Sequence, residues 1–176
     1  MTSSILSGLF GNPSVWTLSD IMKVDQGRQQ KASGCQVFLE DSYLDLEKEK
    51  ILDKFKRFFI RSKSMMNTVY VIFKFKVISE TGHSYNILLR TQYDPSGVLG
   101  MGNTVQIYCP CPDFKFKSAW TLSQHKSLFR NSRVDLELGP AITNAPKKQP
   151  QTVLCKHAYS VVMDLVRNYN NYMKYV

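Results

Sequence analysis

The chain is short of several things, and each shortage narrows its fold and function. No run of about 18 or more apolar residues occurs, so no membrane-spanning helix and no membrane insertion are expected. The opening Met1-Thr2-Ser3-Ser4-Ile5-Leu6 has no basic start and no long apolar stretch, so it does not read as a secretory signal. Cytoplasmic synthesis is the default expectation. Cysteines number only four, and in a chain of this size without a secretory signal no disulfide framework is expected. There is no internal repeat and no heptad run, which excludes a solenoid and a long coiled coil. A nucleophile elbow, a phosphate-cradling glycine loop and a general-base motif are also missing, so no enzyme is expected. Acidic residues are the minority, 14 against 23 Lys and Arg. The resulting net charge of +9 favours anionic partners or a solvated basic surface.

The 176 residues suffice for one domain, or one domain with an arm. Residues 1–34 are polar and glycine-marked, with one short apolar set, Val15, Trp16, Leu18, Ile21 and Met22. They read as an N-terminal arm that is flexible or ordered by a partner. Residues 35–176 read as a single α+β domain. Its first element is expected to be a helix over 42–62, capped by Asp41 or Ser42. The apolar face of that helix is Leu44, Ile51, Phe55, Phe58 and Phe59, and its basic stripe is Lys50, Lys54, Arg57 and Arg61.

Three strands follow. Over 67–79, Val69, Val71, Phe73, Phe75 and Val77 alternate with Tyr70, Ile72, Lys74, Lys76 and Ile78. Turn residues at 79–83 lead into a return strand over 84–92, with Tyr85, Ile87, Leu89 and Thr91 on one face. A third strand over 103–109 places Val105, Ile107 and Cys109 together. These strands predict a three-stranded antiparallel meander. The stretch 112–152 reads as a long inserted loop, partly helical over 113–130 and polar and proline-rich over 139–152. A last helix is predicted over 156–174, with Tyr169 and Tyr172 toward the core and Tyr175 open.

The chemistry-bearing pattern is Cys109-Pro110-Cys111 and, further on, Cys155-Lys156-His157. Structural zinc takes four nitrogen or sulfur ligands in a tetrahedron. Side chains two apart on an extended chain share a face. Pro110 and Pro112 push the cysteines before them into that extended region. In a helix, residues two apart lie about 200° apart around the axis. Cys155 must therefore precede the last helix and His157 must lie in its first turn. One Zn2+ held by Cys109, Cys111, Cys155 and His157 would staple the third strand to the last helix. The competing readings are a Cys109–Cys155 disulfide and plain buried thiols. Cys35 and His125 are spare candidate ligands, and Asp113 reads as a turn or cap residue.

This CxC pair followed by a CxH pair resembles the SWIM zinc finger, over about 103–165. The resemblance implies two strands and a helix around one structural zinc, with binding to DNA or protein. The separation of the two pairs departs from the usual pattern: residues 112–154, forty-three in all, lie between Cys111 and Cys155. The wider wording, Cys109-Pro110-Cys111-Pro112-Asp113-Phe114-Lys115-Phe116 with Leu154-Cys155-Lys156-His157, is similar to small virion structural proteins of large tailed bacteriophages. That second resemblance implies contacts with other protein subunits in a larger assembly, and a place in the virion. The alternative is nucleic-acid binding, to DNA or RNA, through the basic and aromatic insertion 114–148. Its candidate residues are Lys115, Lys117, Trp120, Lys126, Arg130, Arg133, Lys147 and Lys148, interleaved with Phe114 and Phe116.

Overall fold

The computed structural model describes residues 15–25, 32–47, 68–93, 99–145 and 153–176. Its core is a four-stranded antiparallel sheet. Strands β1 (Gln36–Glu47), β2 (Thr68–Ile78), β3 (Ser84–Gln92) and β4 (Val105–Tyr108) lie in sequence order. The expected meander is present as β2, β3 and β4, but the sheet has four strands and not three.

The extra strand corrects the helix expected over 42–62. Residues 42–47 belong to β1, while 48–62, including the rest of the expected apolar face and the basic stripe, lie outside the described residues. The reason is a β-bulge. Pairing shifts register between Leu39 and Asp41, so Glu40 stands opposite no β2 residue in the strand register. Before the bulge, Val37 and Leu39 stand opposite Val77 and Phe75; after it, Ser42 and Leu44 stand opposite Phe73 and Val71. The inward side thus passes from odd to even positions, which erases the period of two that marks a strand.

One face of the sheet is the floor of the core. Phe73 pairs with Leu89, Phe75 with Ile87, Leu89 with Ile107 and Thr91 with Val105, and all are buried. Helices α1 (Leu18–Val24), α2 (Ala119–Gln124), α3 (Ser132–Leu138), α4 (Pro140–Thr143) and α5 (Lys156–Tyr172) complete the fold. The last of these, α5, packs across β1, β2 and β3. It buries Ala158, Val161, Val162, Leu165 and Tyr169. Tyr169 meets Phe73 edge-on at 6.2 Å, and Tyr172 meets Phe75 edge-on at 5.7 Å. Both tyrosines are thus placed against the core, as their helical spacing predicts. The side chain of Tyr175 lies outside the described residues.

Two further expectations change. Residues 15–25, within the region read as an arm, are part of the core: Trp16, Leu18 and Ile21 are buried. Thr17 and Asp20 close a capping box at the start of α1, with Asp20 N–H donating to Thr17 Oγ1 at 3.3 Å and Thr17 N–H to Asp20 Oδ2 at 3.0 Å. The Thr17 N–H lowers the Asp20 carboxyl below its usual range. In the stretch read as a polar loop, Pro140–Thr143 is α4, opened by a proline in its first turn. Residues 146–152 lie outside the described residues.

Candidate metal centre

The first pair of candidate ligands sits just past the end of β4. Val105 and Ile107 are buried in the core, and Cys109 and Pro110 follow directly outside the regular strand. Pro112 then opens a run of helical turns that includes the π-helical turn Phe114–Ser118 and leads into α2. Cys111 sits at the bend just before those turns. Its Sγ accepts the Phe114 N–H at 3.3 Å.

The second pair sits at the start of α5. Cys155 is the N-cap, with extended dihedrals of φ −69° and ψ 163°, and its Sγ accepts the Ala158 N–H at 3.3 Å. His157 lies in the first turn and faces inward. This is the placement that helical geometry demands of a C-x-H pair. Cys111 and Cys155 thus each receive one backbone N–H from the turn that follows, and such donors favour the thiolate.

The two halves converge. One ligand atom from each of Cys109, Cys111, Cys155 and His157 lies within 4.8 Å of all the others, and all four residues are buried. A tetrahedral shell with metal–sulfur bonds of about 2.3 Å spaces its sulfurs about 3.8 Å apart. A set gathered within 4.8 Å is on that scale. The arrangement is compatible with one bound metal ion.

Electrostatics and hydrogen bonding give the same answer. Burial pushes the Cys109 thiol well up, and burial pushes Cys155 up as well. Cys111 is driven far down, because the thiols of Cys109 and Cys155 both donate to it. The His157 imidazole also favours the Cys111 thiolate by proximity, although no hydrogen bond of good geometry joins them. Burial thus opposes charge on Cys109 and Cys155, while the hydrogen bonds they make to Cys111 favour charge there. A cation at their centre removes the conflict, since it stabilises every thiolate around it. Both ring nitrogens of His157 are buried without a hydrogen-bond partner among the described residues. A buried imidazole with no partner is costly, and a metal would satisfy one nitrogen directly. Cys109 and Cys155 are free thiols, not a disulfide.

The other candidates fall elsewhere. Cys35 is half-buried and His125 is stacked on Trp16, with ring centroids 4.0 Å apart; neither belongs to the cluster. Asp113 pairs with Lys117 one helical turn on. Of the basic-aromatic set, Phe114 is fully buried against Tyr108, whereas Phe116 is 72% exposed and Trp120 is half-buried. Arg130 grips Asp135 through two hydrogen bonds, at 2.8 and 3.1 Å. Lys115 donates to the Glu137 carbonyl at 3.2 Å. Lys126 and Arg133 are exposed, and Lys147 and Lys148 lie outside the described residues. The insertion thus buries two of its aromatics, Phe114 and Phe129, and sets Lys117 and Arg130 against carboxylates.

Sequence reasoning missed two contributors. Tyr85 lies over His157, with ring centroids 4.5 Å apart and planes 36° apart. Its inward position on β3 was legible from alternation, but its contact with His157 was not. Asp25 reaches the loop ahead of Cys155 from the far end of the chain, and no local pattern signals it. No protein-family model, curated protein or solved structure matches this chain. Among the described residues, no helix is long and apolar enough to cross a membrane.

Proposed function

We propose that the chain is a non-enzymatic, zinc-stabilised assembly module, a virion structural component in the terms of its resemblance. One Zn2+ is held by Cys109, Cys111, Cys155 and His157. The observation that carries this reading is the buried Cys3His set gathered within 4.8 Å. Thiolate and imidazole suit zinc, whereas magnesium and calcium take oxygen ligands. Four protein ligands fill a tetrahedron and leave no position for a reacting water, which makes the ion structural rather than catalytic. The ion ties the end of β4 to the start of α5 and closes the long insertion between them, so metal binding contributes to folding itself.

With no reacting group at its centre, the module acts through what it binds. Contact with other protein subunits is supported by the virion-protein resemblance. It is also supported by half-exposed apolar side chains, Phe38, Tyr43 and Leu44, along the edge strand β1.

Native mass spectrometry of the gently purified protein, before and after chelation, tests both parts. One zinc per chain and a defined oligomer or partner complex are expected. A mass equal to the bare chain overturns the metal centre. A lone monomer isolated from cells with no partner overturns the assembly role.

A further inference from the structure

We infer that Asp25 is a positioning residue for the metal centre, and that residues 15–25 form a strap that holds its two halves in place independently of the ion. The inference rests on the metal-centre reading above. Asp25 follows α1 directly and is completely buried. Its two carboxylate oxygens accept the backbone N–H groups of Val153 and Leu154, at 2.7 Å each, from residues 128 and 129 positions away. Consecutive amides converging on one carboxylate form an anion-binding nest, and charge-assisted bonds of this length are the strong kind. The next residue is Cys155, and His157 follows two positions later. The carboxylate therefore fixes the loop that aims the second ligand pair.

The other end of the strap fixes the first pair. Trp16 donates its N–H to Ser127 Oγ at 3.0 Å, and its carbonyl accepts the Val105 N–H at 3.3 Å. Leu18 and Ser19 donate to the carbonyls of Asn103 and Met101, and Thr17 bridges to Thr104. These bonds anchor the strap to the start of β4, the strand that delivers Cys109 and Cys111. The strap thus spans both halves of the site while supplying none of the four ligands. Holding ligands near their bound positions slows the first step of metal loss, in which one ligand swings away.

The test is metal release from the full-length protein loaded with one equivalent of Zn2+, followed with a chromophoric chelator. Asp25→Asn keeps the shape but turns an acceptor oxygen into an amide that faces a backbone N–H. Release should accelerate by about tenfold or more, as loss of a group that orients metal ligands does elsewhere. The control is Val71→Ala, a buried β2 position two strands removed from β4, which lowers stability without removing any hydrogen bond that anchors the strap. Its release rate should stay within about threefold of the parent, well below the effect expected of an orienting group. With Co2+ in place of Zn2+, the visible absorption of Asp25→Asn should also shift, reporting altered ligand geometry. Should Asp25→Asn fail to fold, Ser127→Ala loosens the opposite end and should also accelerate release. Release at the parent rate in the strap variants, or equal acceleration in Val71→Ala, overturns the positioning role and leaves the metal centre standing. A parent that takes up no metal overturns both.

Discussion

The two outer strands of the sheet are built on different principles. On β4, Ile107 is 0% exposed, Val105 is buried with it, and the strand runs straight into the ligand pair at Cys109 and Cys111. Its free side is covered: the Trp16 carbonyl accepts the Val105 N–H, Ser127 accepts the Ile107 N–H, and Phe129 donates back to Ile107. On β1, Leu44 is 47% exposed although it stands opposite the fully buried Val71. Polar contacts on β1 run along the sheet surface instead. Asp45 meets Arg90 at 3.1 Å, and Glu40 meets Lys74 at 3.3 Å. One margin of the sheet is sealed around a candidate metal, and the other presents apolar side chains outward.

Substitutions at matched positions sharpen that contrast. The largest effect is expected at the ligands. Cys111→Ala should lower unfolding stability by about 4–5 kcal/mol, in the range reserved for loss of a metal or a buried network. It should also make the melting temperature insensitive to chelator. A Cys111→Ala protein that melts like the parent in matched buffers would mean that the site is not structural. Next, Ile107→Ala on β4 should cost about 2–5 kcal/mol in chemical denaturation, from lost burial and the cavity left behind. The smallest effect belongs to β1. Leu44→Ala, removing a side chain of similar size, should change stability by less than about 0.5 kcal/mol, as exposed substitutions do. If Leu44→Ala proved as damaging as Ile107→Ala, the contrast between the two margins would be broken.

How much was legible in advance follows the same division. Strand β3 matches its expected span of 84–92, and β2 falls within one residue of its own, because period-two alternation there is uninterrupted. The N-cap position of Cys155 followed from helix geometry, since only an N-cap and first-turn pair can aim side chains two apart at one point. Strand β1 was misread because the bulge at Glu40 breaks its phase, and Leu44 then matches a helical spacing that runs on to Ile51. The basic-aromatic reading of the insertion missed the burial of Phe114, which depends on the turn that begins at Pro112. Residues 15–25 looked like an arm because one short apolar set gives no sign of what it will pack against.

By itself the sequence determined the candidate ligand types and the local placement of each pair: prolines after Cys109 and Cys111 at the end of a strand, helix start at Cys155 and His157. Those features depend on neighbours a few residues away, and backbone sterics fixes them. Only the tertiary structure decided that the pairs meet, that Tyr85 covers His157, and that Asp25 grips the amides of Val153 and Leu154 from the other end of the chain. Such contacts form between segments more than a hundred residues apart in the case of Asp25, where no periodicity links the partners. They exist because folding the sheet and packing α1 and α5 on it bring those segments into the same buried volume.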